Sequence, residues 1–323
     1  MKRRLKRIVT PVVTPVFRLL VRYLPVPTIR ELVWRRVVCR YLLWRPREFQ
    51  ARTFFGATIA GDTTDFIQRQ LYYFGAWEPH LTNWLSGQLG PGDVFVDVGA
   101  NIGYFSLLAS RLVGDDGHVV AVEASPALAE RLRENLVRNR AANVTLVNAV
   151  AAASRGTQVV YRGDDANVGQ TTAVRVAGFD EEARVAAAPL SDLIDAALVP
   201  RVRVIKIDVQ GFEADVVQGL VRLLPSLPLQ CSLVVEVHPE LLALLGTGPE
   251  AVVDPLAAAG FVPYRLDVDY APVTHLRRAR RARPRRLDGP IEAECDLIFT
   301  RTGADGSHAA SPPVGGAGAA PHR

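Results

Sequence analysis

One short segment combines a carboxylate with two glycines in a spacing that suits ligand binding. Asp97 lies near the end of the β-branched run Val94–Val98, and Gly99 and Gly103 follow with Asn101 between them. Glycine adopts backbone conformations that other residues avoid, so Gly99 permits a tight turn and Gly103 lets a following helix approach a ligand. In a doubly wound sheet, such a turn lies at the carboxyl end of the first strand, where ligands bind.

The charge of this loop favours S-adenosylmethionine as the cofactor. Its GxxxG spacing differs from the GxGxxG of dinucleotide-binding loops. The Asp97 carboxylate would repel a pyrophosphate at the helix N-terminus and attract the ammonium group of a methionine moiety. Glu123, twenty residues after Gly103, ends a second predicted strand, where a carboxylate can accept hydrogen bonds from both ribose hydroxyls. A glycine turn with a capping aspartate in another kind of α/β protein is the alternative.

A second group of candidates follows two later predicted strands. Lys206 and Asp208 share one face of the predicted strand Arg203–Val209 by alternation. Asp208 lies at its carboxyl end and is the first choice for orienting the substrate or acting as a base. Lys206 is the only lysine outside the first fifty residues, which suggests a site role or an ion pair with Asp208 or Glu236. His238 follows the predicted strand Cys231–Val237 and has a side chain suited to general-base catalysis, with a structural role as the alternative.

Four more residues are candidates for acceptor contacts. Glu236 ends a strand beside His238, whereas Glu213 opens the helix after Asp208 and could instead complement the helix dipole. Asn167 and Gln170 lie in the Gly-rich segment 156–176, predicted as a hairpin or flap, where turn formation is the alternative explanation. A divalent cation is an open alternative for Asp208, Glu213, Glu236 and His238, but no HxxxH or DxD spacing supports it, so no metal site is predicted.

Alternating elements predict the scaffold that positions these residues. Short apolar strands alternate with helices over Ile102–Val113 and Pro126–Asn139, which predicts a parallel sheet with right-handed crossovers. The alternation resumes after residue 202 and ends in strands Val262–Val268 and Glu294–Thr300, the last of which suits an antiparallel strand within the sheet. The predicted fold class is α/β, with a doubly wound and mostly parallel sheet.

The charge distribution divides the chain into three parts. Residues 1–50 hold 13 Lys/Arg against Glu31 and Glu48, and His275–Arg286 holds seven arginines. The rest holds 18 Lys/Arg against 31 Asp/Glu, so the pI of about 9.3 does not by itself indicate nucleic acid. The arginine cluster Arg277–Arg286 lacks interleaved aromatic residues for base stacking, which predicts a solvated loop, with a phosphorylated or acidic acceptor as the alternative.

We therefore predict a basic, partly helical extension over 1–50, a catalytic domain over 51–301 and a disordered Gly/Ala/Ser/Pro tail over 302–323. Within the extension, Thr28–Trp44 predicts an amphipathic helix that packs on the main domain, or alternatively a weak membrane-surface contact through residues 1–44. No apolar run of about 18 residues predicts a membrane span, and three cysteines without CxxC spacing suit a cytoplasmic location.

Two motifs give a resemblance to a known family. The segments DVGANIGY (Asp97–Tyr104) and IKIDVQGFE (Ile205–Glu213) resemble the FkbM family of class I S-adenosylmethionine-dependent methyltransferases over roughly Asp93–Thr300, and Gly61–Pro79 has the look of the family's preceding segment. The resemblance implies a Rossmann-like sheet of seven strands and, usually, O-methylation of small molecules or sugar-containing metabolites.

By motif match, the residues implied to hold the cofactor are Asp97, Gly99, Asn101, Gly103 and Glu123, with Asn148 near the adenine. The sequence departs from the family pattern at Gln210, where glutamate is frequent, and at Ser191, where aspartate is frequent. Two rival functions stay open at this point: an NAD-dependent Rossmann oxidoreductase, and a non-catalytic α/β scaffold recruited by its basic extension.

Overall fold

A computed structural model describes residues 14–42, 47–163, 171–266 and 283–302. The strands, in chain order, are β1 (Glu48–Arg52), β2 (Thr58–Asp62), β3 (Val94–Val98), β4 (His118–Glu123), β5 (Val144–Asn148), β6 (Val150–Ala151), β7 (Gly156–Arg162), β8 (Asp180–Ala188), β9 (Val202–Ile207), β10 (Ser232–Val237), β11 (Val262–Leu266), β12 (Arg285–Arg286) and β13 (Cys295–Thr300). The helices are α1 (Pro27–Val33), α2 (Phe66–Phe74), α3 (Pro79–Gln88), α4 (Tyr104–Val113), α5 (Pro126–Asn139), α6 (Leu190–Leu193), α7 (Glu213–Leu220), α8 (Pro239–Leu244) and α9 (Glu250–Ala258). Residues 14–23 are also helical, and Trp34–Leu42 is π-helical.

The main sheet has the strand order β12-β11-β13-β10-β9-β3-β4-β5. Strands β5, β4, β3, β9 and β10 are parallel neighbours, and β13 lies antiparallel between β10 and β11. The predicted mostly parallel sheet and its antiparallel insertion are therefore confirmed. Within the described ranges the sheet has eight strands, one more than expected, because a two-residue strand, β12, pairs with Tyr264 and Arg265. So short a strand leaves no hydrophobic period in the sequence.

Both faces of the sheet are covered. All residues of β3, β9 and β10 are buried, as expected for strands in a parallel sheet. Alternation sends Phe95 of β3 to the side of α2–α5, and Val94 and Val96 to the side of α7 and α9. The two hydrophobic clusters on opposite faces are typical of a doubly wound fold and hold the carboxyl ends of the central strands rigidly together.

Several predicted boundaries shift by a few residues. Helix α4 begins at Tyr104 because Gly103 adopts a left-handed conformation, with φ of 90°, at the N-cap. Strand β9 ends at Ile207, and Asp208 follows it directly, with its backbone N–H donating to the Val98 carbonyl oxygen at 3.0 Å. The predicted hairpin after Gly156 exists, with β7 antiparallel to β8, and lies in a separate three-stranded sheet with β6.

The N-terminal extension packs on the main domain through one face. Val21, Trp34, Val38 and Leu42 are buried in a cluster with aromatic residues of α2. The predicted single helix over Thr28–Trp44 is instead the short helix α1 followed by the π-helical turn. Among the described helices, none is long and apolar enough to cross a membrane. The predicted disordered tail and most of the arginine loop lie outside the described residues.

Candidate functional site

The loop after β3 is shaped by three residues with positive φ. Gly99, Asn101 and Gly103 have φ of 81°, 52° and 90°. A Cβ on Gly99 would lie 1.8 Å from the Asp208 carbonyl oxygen, so the loop touches the end of β9 backbone to backbone. A Cβ on Gly103 would lie 2.2 Å from Leu132 Cδ1 of α5. The left-handed φ and the packing against Leu132 both favour glycine at position 103, whereas the predicted approach to a ligand stays a prediction.

A cavity of about 400 Å³ opens at the carboxyl ends of β3, β4, β9 and β10. The predicted site residues that line it are Gly99, Asn101, Glu123, Asp208, Glu236 and His238. Those that do not line it are Asp97, Gly103, Asn148, Lys206 and Glu213. Asn167 and Gln170 lie outside the described residues, although the neighbouring Thr171 lines the cavity. The sheet thus brings both predicted groups to one cavity, with some members behind its wall.

Glu123 presents a carboxylate at one end of the cavity. Its Oε2 accepts a hydrogen bond from the Asn101 backbone N–H at 2.7 Å, and its Oε1 accepts one from the Ser125 N–H at 2.8 Å. Each oxygen keeps a second lone pair that can accept from a hydroxyl. Burial raises the pKa of Glu123 to about 7, against the opposing effect of these two hydrogen bonds. The geometry fits a ligand that offers a pair of hydroxyl donors.

Apolar residues continue the wall beyond Glu123. Ala124, Leu128, Ala149 and Val150 line this part of the cavity and suit a flat aromatic base. Asn148 is exposed, and its amide donates to the carbonyl oxygens of Glu123 at 2.8 Å and Ala124 at 3.1 Å. Asn148 therefore holds the strand end that carries Glu123, while its neighbours in the chain form the wall.

Asp97 lies directly behind the loop, with 1% of its surface exposed. Its Oδ2 accepts a hydrogen bond from Ser106 Oγ at 2.6 Å, whereas its Oδ1 is buried and has no hydrogen-bond partner among the described residues. Burial raises the pKa of Asp97, and the charge of Lys206 partly opposes that shift. The orphaned oxygen leaves an acceptor for a cationic group or a water, which fits the ammonium of a methionine moiety.

At the other end of the cavity, Lys206 and Asp208 form an ion pair. Lys206 Nζ lies 2.8 Å from Asp208 Oδ2, and Lys206 is 4% exposed. Burial lowers the pKa of Lys206, but the carboxylates of Asp208 and Asp97 outweigh it, so the net direction is upward and the ammonium persists. Burial and the charge of Glu236 raise the pKa of Asp208 to about 6. Asp208 thus stays largely ionised at neutral pH and is the only member of the pair that can accept a proton.

Gln210 links the charged groups around Asp208. Its backbone φ is 51°, and its Nε2 lies 3.2 Å from Asp208 Oδ1 and 3.1 Å from Glu236 Oε2. The same amide lies 3.1 Å from His238 Nε2. A glutamate here, as the family resemblance would suggest, would place a third negative charge against two carboxylates. The neutral amide of Gln210, which departs from the family pattern, avoids that repulsion.

His238 lies between two carboxylates. Its Nε2 is 3.3 Å from Glu236 Oε2, and its Nδ1 is 3.5 Å from Glu294 Oε2. Burial lowers the pKa of His238, but the hydrogen bond and charge of Glu236 outweigh it and raise the value to about 9. The ring is therefore protonated at neutral pH, which contradicts the expectation of a pKa suited to general-base catalysis.

Ligand atoms of Glu236, His238 and Glu294 lie within 4.8 Å of one another. This spacing could hold a metal ion, which the sequence spacing did not indicate.

Three buried or cavity-lining carboxylates were missed in the sequence. Glu78 is 4% exposed, lines the cavity and has φ of 39° just before α3. Burial and the charge of Asp296 raise the pKa of Glu78 well above its usual range. Asp296 is 3% exposed in β13, beside Glu236 in the sheet register, while Glu294 precedes that strand at the cavity rim. The one sequence signal for this cluster is the single charge within the apolar run of β13.

Glu213 lies beneath the cavity and does not reach it. The residue is fully buried, and its Oε1 accepts a hydrogen bond from the Gly211 N–H at 2.7 Å. Burial raises the pKa of Glu213 to about 8. The predicted contact with a substrate is therefore replaced by a structural role at the start of α7.

Curated relatives align with short parts of this chain. An arsenite methyltransferase of Halobacterium salinarum is 39% identical over 56 residues, which cover 17% of this chain and 14% of that protein. A protein-L-isoaspartate O-methyltransferase of Ignicoccus hospitalis is 38% identical over 71 residues, which cover 21% of this chain and 34% of that protein. The chain thus spans about a third or less of the length of these relatives.

Solved structures give distant similarities over longer stretches. Aeropyrum pernix fibrillarin, with S-adenosyl-L-methionine bound, has a TM-score of 0.40 at 14% identity and covers 81% of this chain and 85% of its own. TomG from Streptomyces achromogenes, an O-methyltransferase in tomaymycin synthesis, has a TM-score of 0.37 at 13% identity, with coverages of 68% and 77%.

The family comparison is more extensive. The Methyltransferase FkbM domain matches residues 97–262, slightly more than half of the chain. That range begins at Asp97 and contains the loop after β3, Glu123, Asp208 and His238. The resemblance seen in the two motifs is thereby confirmed, and with it the predicted cofactor. The chain belongs to the FkbM family of methyltransferases, and S-adenosylmethionine is its methyl donor.

Proposed function

We propose that this methyltransferase transfers a methyl group to a hydroxyl of a small molecule or a sugar-containing metabolite. The observation that carries the proposal is the single cavity that joins Glu123 at one end to Asp208 at the other. When bound, S-adenosylmethionine supplies an activated methyl group that an oxygen nucleophile can attack. The protein must then hold both partners and remove the hydroxyl proton.

We call the part of the cavity near Glu123 the donor end. Residues around the loop after β3 would hold the methyl donor there. Glu123 would accept hydrogen bonds from the ribose hydroxyls, since it lines the cavity and each of its oxygens keeps a free lone pair. The orphaned Asp97 Oδ1 lies behind the cavity wall and would reach the ammonium through a bridging water. Gly99 and Asn101 line the same part of the cavity and keep the backbone close to the ligand. Asn148 and Gly103 support this arrangement without contacting the donor.

We call the part of the cavity near Asp208 the acceptor end, and the hydroxyl that receives the methyl group would bind there. A hydroxyl that donates to the Asp208 carboxylate would lose its proton to that oxygen as its own oxygen takes the methyl group, and the sulfur of the donor would keep the electron pair of the broken S–C bond and leave as a neutral thioether. Lys206 is a positioning residue, because it fixes Oδ2 at 2.8 Å and remains charged throughout. Gln210 fixes Oδ1 from the other side. His238, protonated between Glu236 and Glu294, would have no free lone pair with which to remove the proton of the acceptor, since each ring nitrogen faces one of those carboxylates.

The charge of this end favours neutral or cationic acceptors over anionic ones. The carboxyl groups that line it belong to Glu78, Asp208, Glu236, Glu240 and Glu294. The one cationic side chain among the described lining residues is His238. A phosphate or carboxylate on the acceptor would meet strong repulsion in this low-dielectric cavity. The arginines described after residue 282 do not line the cavity, so they offer no support for a phosphorylated acceptor.

A transfer assay with a methyl-labelled donor tests the proposal. Matched neutral, amino and carboxylated sugars serve as acceptors, and S-adenosylhomocysteine binding is measured by calorimetry on the same sample. We expect label in the neutral or amino sugar and at least roughly tenfold less in the carboxylated one, in keeping with several kcal/mol for like-charge contacts. Transfer mainly to the carboxylated sugar would refute the acceptor class. Binding of S-adenosylhomocysteine without transfer to any hydroxylated compound would refute O-methylation.

The rival functions gain no support. An oxidoreductase would require NAD to bind where Asp97 and Glu123 present carboxylates, and the family match points to methyl transfer instead. A non-catalytic scaffold would tolerate loss of the Asp208 carboxylate, so the activity of an Asp208→Asn variant distinguishes it from an enzyme.

We also propose that residues 51–301 form the catalytic domain and that residues 1–50 are an extension with a separate role.

A further inference from the structure

The N-terminal helices expose a continuous stripe of large apolar side chains. In the helical residues 14–23, Val16, Leu19 and Tyr23 are 51%, 56% and 65% exposed. Their spacing of three and four residues places them on one face of the helix. The stripe continues through Val26 and α1, where Ile29 and Leu32 are 46% and 55% exposed. We call the six residues Val16, Leu19, Tyr23, Val26, Ile29 and Leu32 the outer stripe.

The outer stripe is not the face that docks the extension on the domain. Val21 lies on the opposite side of the first helix and is fully buried against the aromatic cluster of α2. Phe17, also on that side, packs against the same cluster. A helix that is apolar on both faces has a second apolar environment to meet. Scattered exposed apolar residues are ordinary, but six within seventeen residues, on two short helices and the connection between them, form a patch.

Exposed arginines follow the outer stripe in the chain. Residues 14–42 contain six arginines and one acidic residue, Glu31, and of these arginines Arg18 stacks on Tyr72 while Arg22 lies against Gly75. Arg35, Arg36 and Arg40 are exposed, and the Arg35 side chain is 75% exposed despite a 3.9 Å ion pair with Glu31. The rest of the chain beyond residue 50 and outside the arginine loop is acidic, as its composition shows. The charge that flanks the stripe is therefore positive and local, and it would attract an anionic surface while the main body is repelled.

We propose that the outer stripe and its arginines form a membrane-surface site that takes an anionic lipid bilayer. The helices would lie in the plane of the interface, with the stripe inserted among the lipid chains and the arginines at the headgroups. The buried face stays on the aromatic cluster, so binding needs no unfolding of the extension. The proposal does not depend on the acceptor, because it involves neither Glu123 nor Asp208.

Vesicle co-sedimentation of the full chain tests the site. The vesicles are phosphatidylcholine alone or phosphatidylcholine with phosphatidylglycerol. We expect binding only to the anionic vesicles, with a sharp decrease as salt is raised. The double variant Leu19→Glu/Tyr23→Glu should lower the partition coefficient by roughly tenfold or more, because two large apolar side chains are lost from the interface. The triple variant Arg35→Ala/Arg36→Ala/Arg40→Ala should lower it to a similar extent and weaken the salt dependence.

Matched control variants test whether vesicle binding depends on the outer stripe or on any exposed apolar side chain. Val137→Glu and Leu229→Glu alter side chains that are 74% and 64% exposed on other surfaces, and they should leave vesicle binding unchanged. Melting temperatures verify that all variants are folded. Equal binding to neutral and anionic vesicles, or binding unaffected by the stripe variants, would overturn the proposal. So would a stable dimer in solution that the Leu19→Glu/Tyr23→Glu variant converts to monomers, since a second copy would then cover the stripe.

Discussion

The two ends of the cavity are built by different means. The donor end depends on backbone geometry within one stretch of chain, from Gly99 to Glu123, where φ angles and main-chain N–H groups set the shape. The acceptor end depends on side chains from distant segments, since Glu78, Asp208 and Glu294 meet only in the folded sheet. A local backbone site leaves a motif in the sequence. A site assembled from charged side chains leaves none, and its properties arise from mutual electrostatics.

The largest effect is expected from Gly99→Ala, which would disrupt the backbone contact between the loop after β3 and Asp208. The added Cβ would lie 1.8 Å from the Asp208 carbonyl oxygen at a φ of 81°, and neither backbone can move without displacing a central strand. We expect the free energy of unfolding to decrease by roughly 3 kcal/mol or more, together with loss of S-adenosylhomocysteine binding. Urea unfolding and calorimetry measure the two quantities.

Gly92→Ala is the matched control for that variant. Gly92 has a similar φ of 85°, but an added Cβ would meet no atom within 4 Å. The control should therefore show only the conformational cost, about 1–2 kcal/mol, with binding intact. If both variants behave alike, the positive φ alone governs the loop and the backbone contact with Asp208 has no separate importance.

Asp208→Asn should impair the acceptor end of the cavity and leave donor binding intact. The change keeps the shape of the side chain but removes the proton acceptor, so turnover should fall by roughly 10²- to 10⁴-fold while S-adenosylhomocysteine binding is retained. In the wild-type protein, turnover should decrease as pH falls through about 6, where Asp208 becomes protonated. Steady-state assays and calorimetry provide both measurements.

Asp296→Asn is its control, because it changes a buried carboxyl group of the same cluster without touching the cavity. Burial and the charge of Glu236 raise the pKa of Asp296 well above its usual range, so the change removes little charge and turnover should fall less than about tenfold. A comparable loss in the two variants would mean that the packing of the cluster, and not a proton acceptor at Asp208, sets the rate.

Glu123→Gln sharpens the comparison at the donor end. Because Glu123 has a pKa of about 7 and hydroxyl donors favour its ionised form, wild-type affinity for S-adenosylhomocysteine should increase as pH rises from about 6 to about 8. The variant should bind roughly 10- to 100-fold more weakly at the higher pH, the cost of losing charge-assisted hydrogen bonds, and with little pH dependence. Tighter wild-type binding at the lower pH would contradict a ribose contact at this residue.

The sequence predicted the donor end better than the acceptor end for physical reasons. The parallel strands and the loop after β3 follow from local patterns, whereas the left-handed Gly103 that delays α4 reflects contact with Leu132 in a later helix. The protonation state of His238 is set by Glu236 and Glu294, and Glu294 is brought there by the antiparallel strand β13. No local pattern encodes that juxtaposition, so the raised pKa of His238 could not be predicted from the sequence.

A carboxyl outside both ends gives the smallest expected effect. Burial raises the pKa of Glu213 to about 8, well above its value in an unfolded chain, so its contribution to stability is full below about pH 4.5 and is lost as pH rises through 8. Glu213→Gln keeps an oxygen for the Gly211 N–H but cannot ionise, so it should be more stable than the wild type by about 1–3 kcal/mol at about pH 9 and similar at about pH 5. Urea unfolding at both pH values measures this, with Glu130→Gln on the exposed face of α5 as the control. Since Glu213 does not line the cavity, S-adenosylhomocysteine affinity should be the same in the variant, and a changed affinity would mean that the donor end extends beneath its wall.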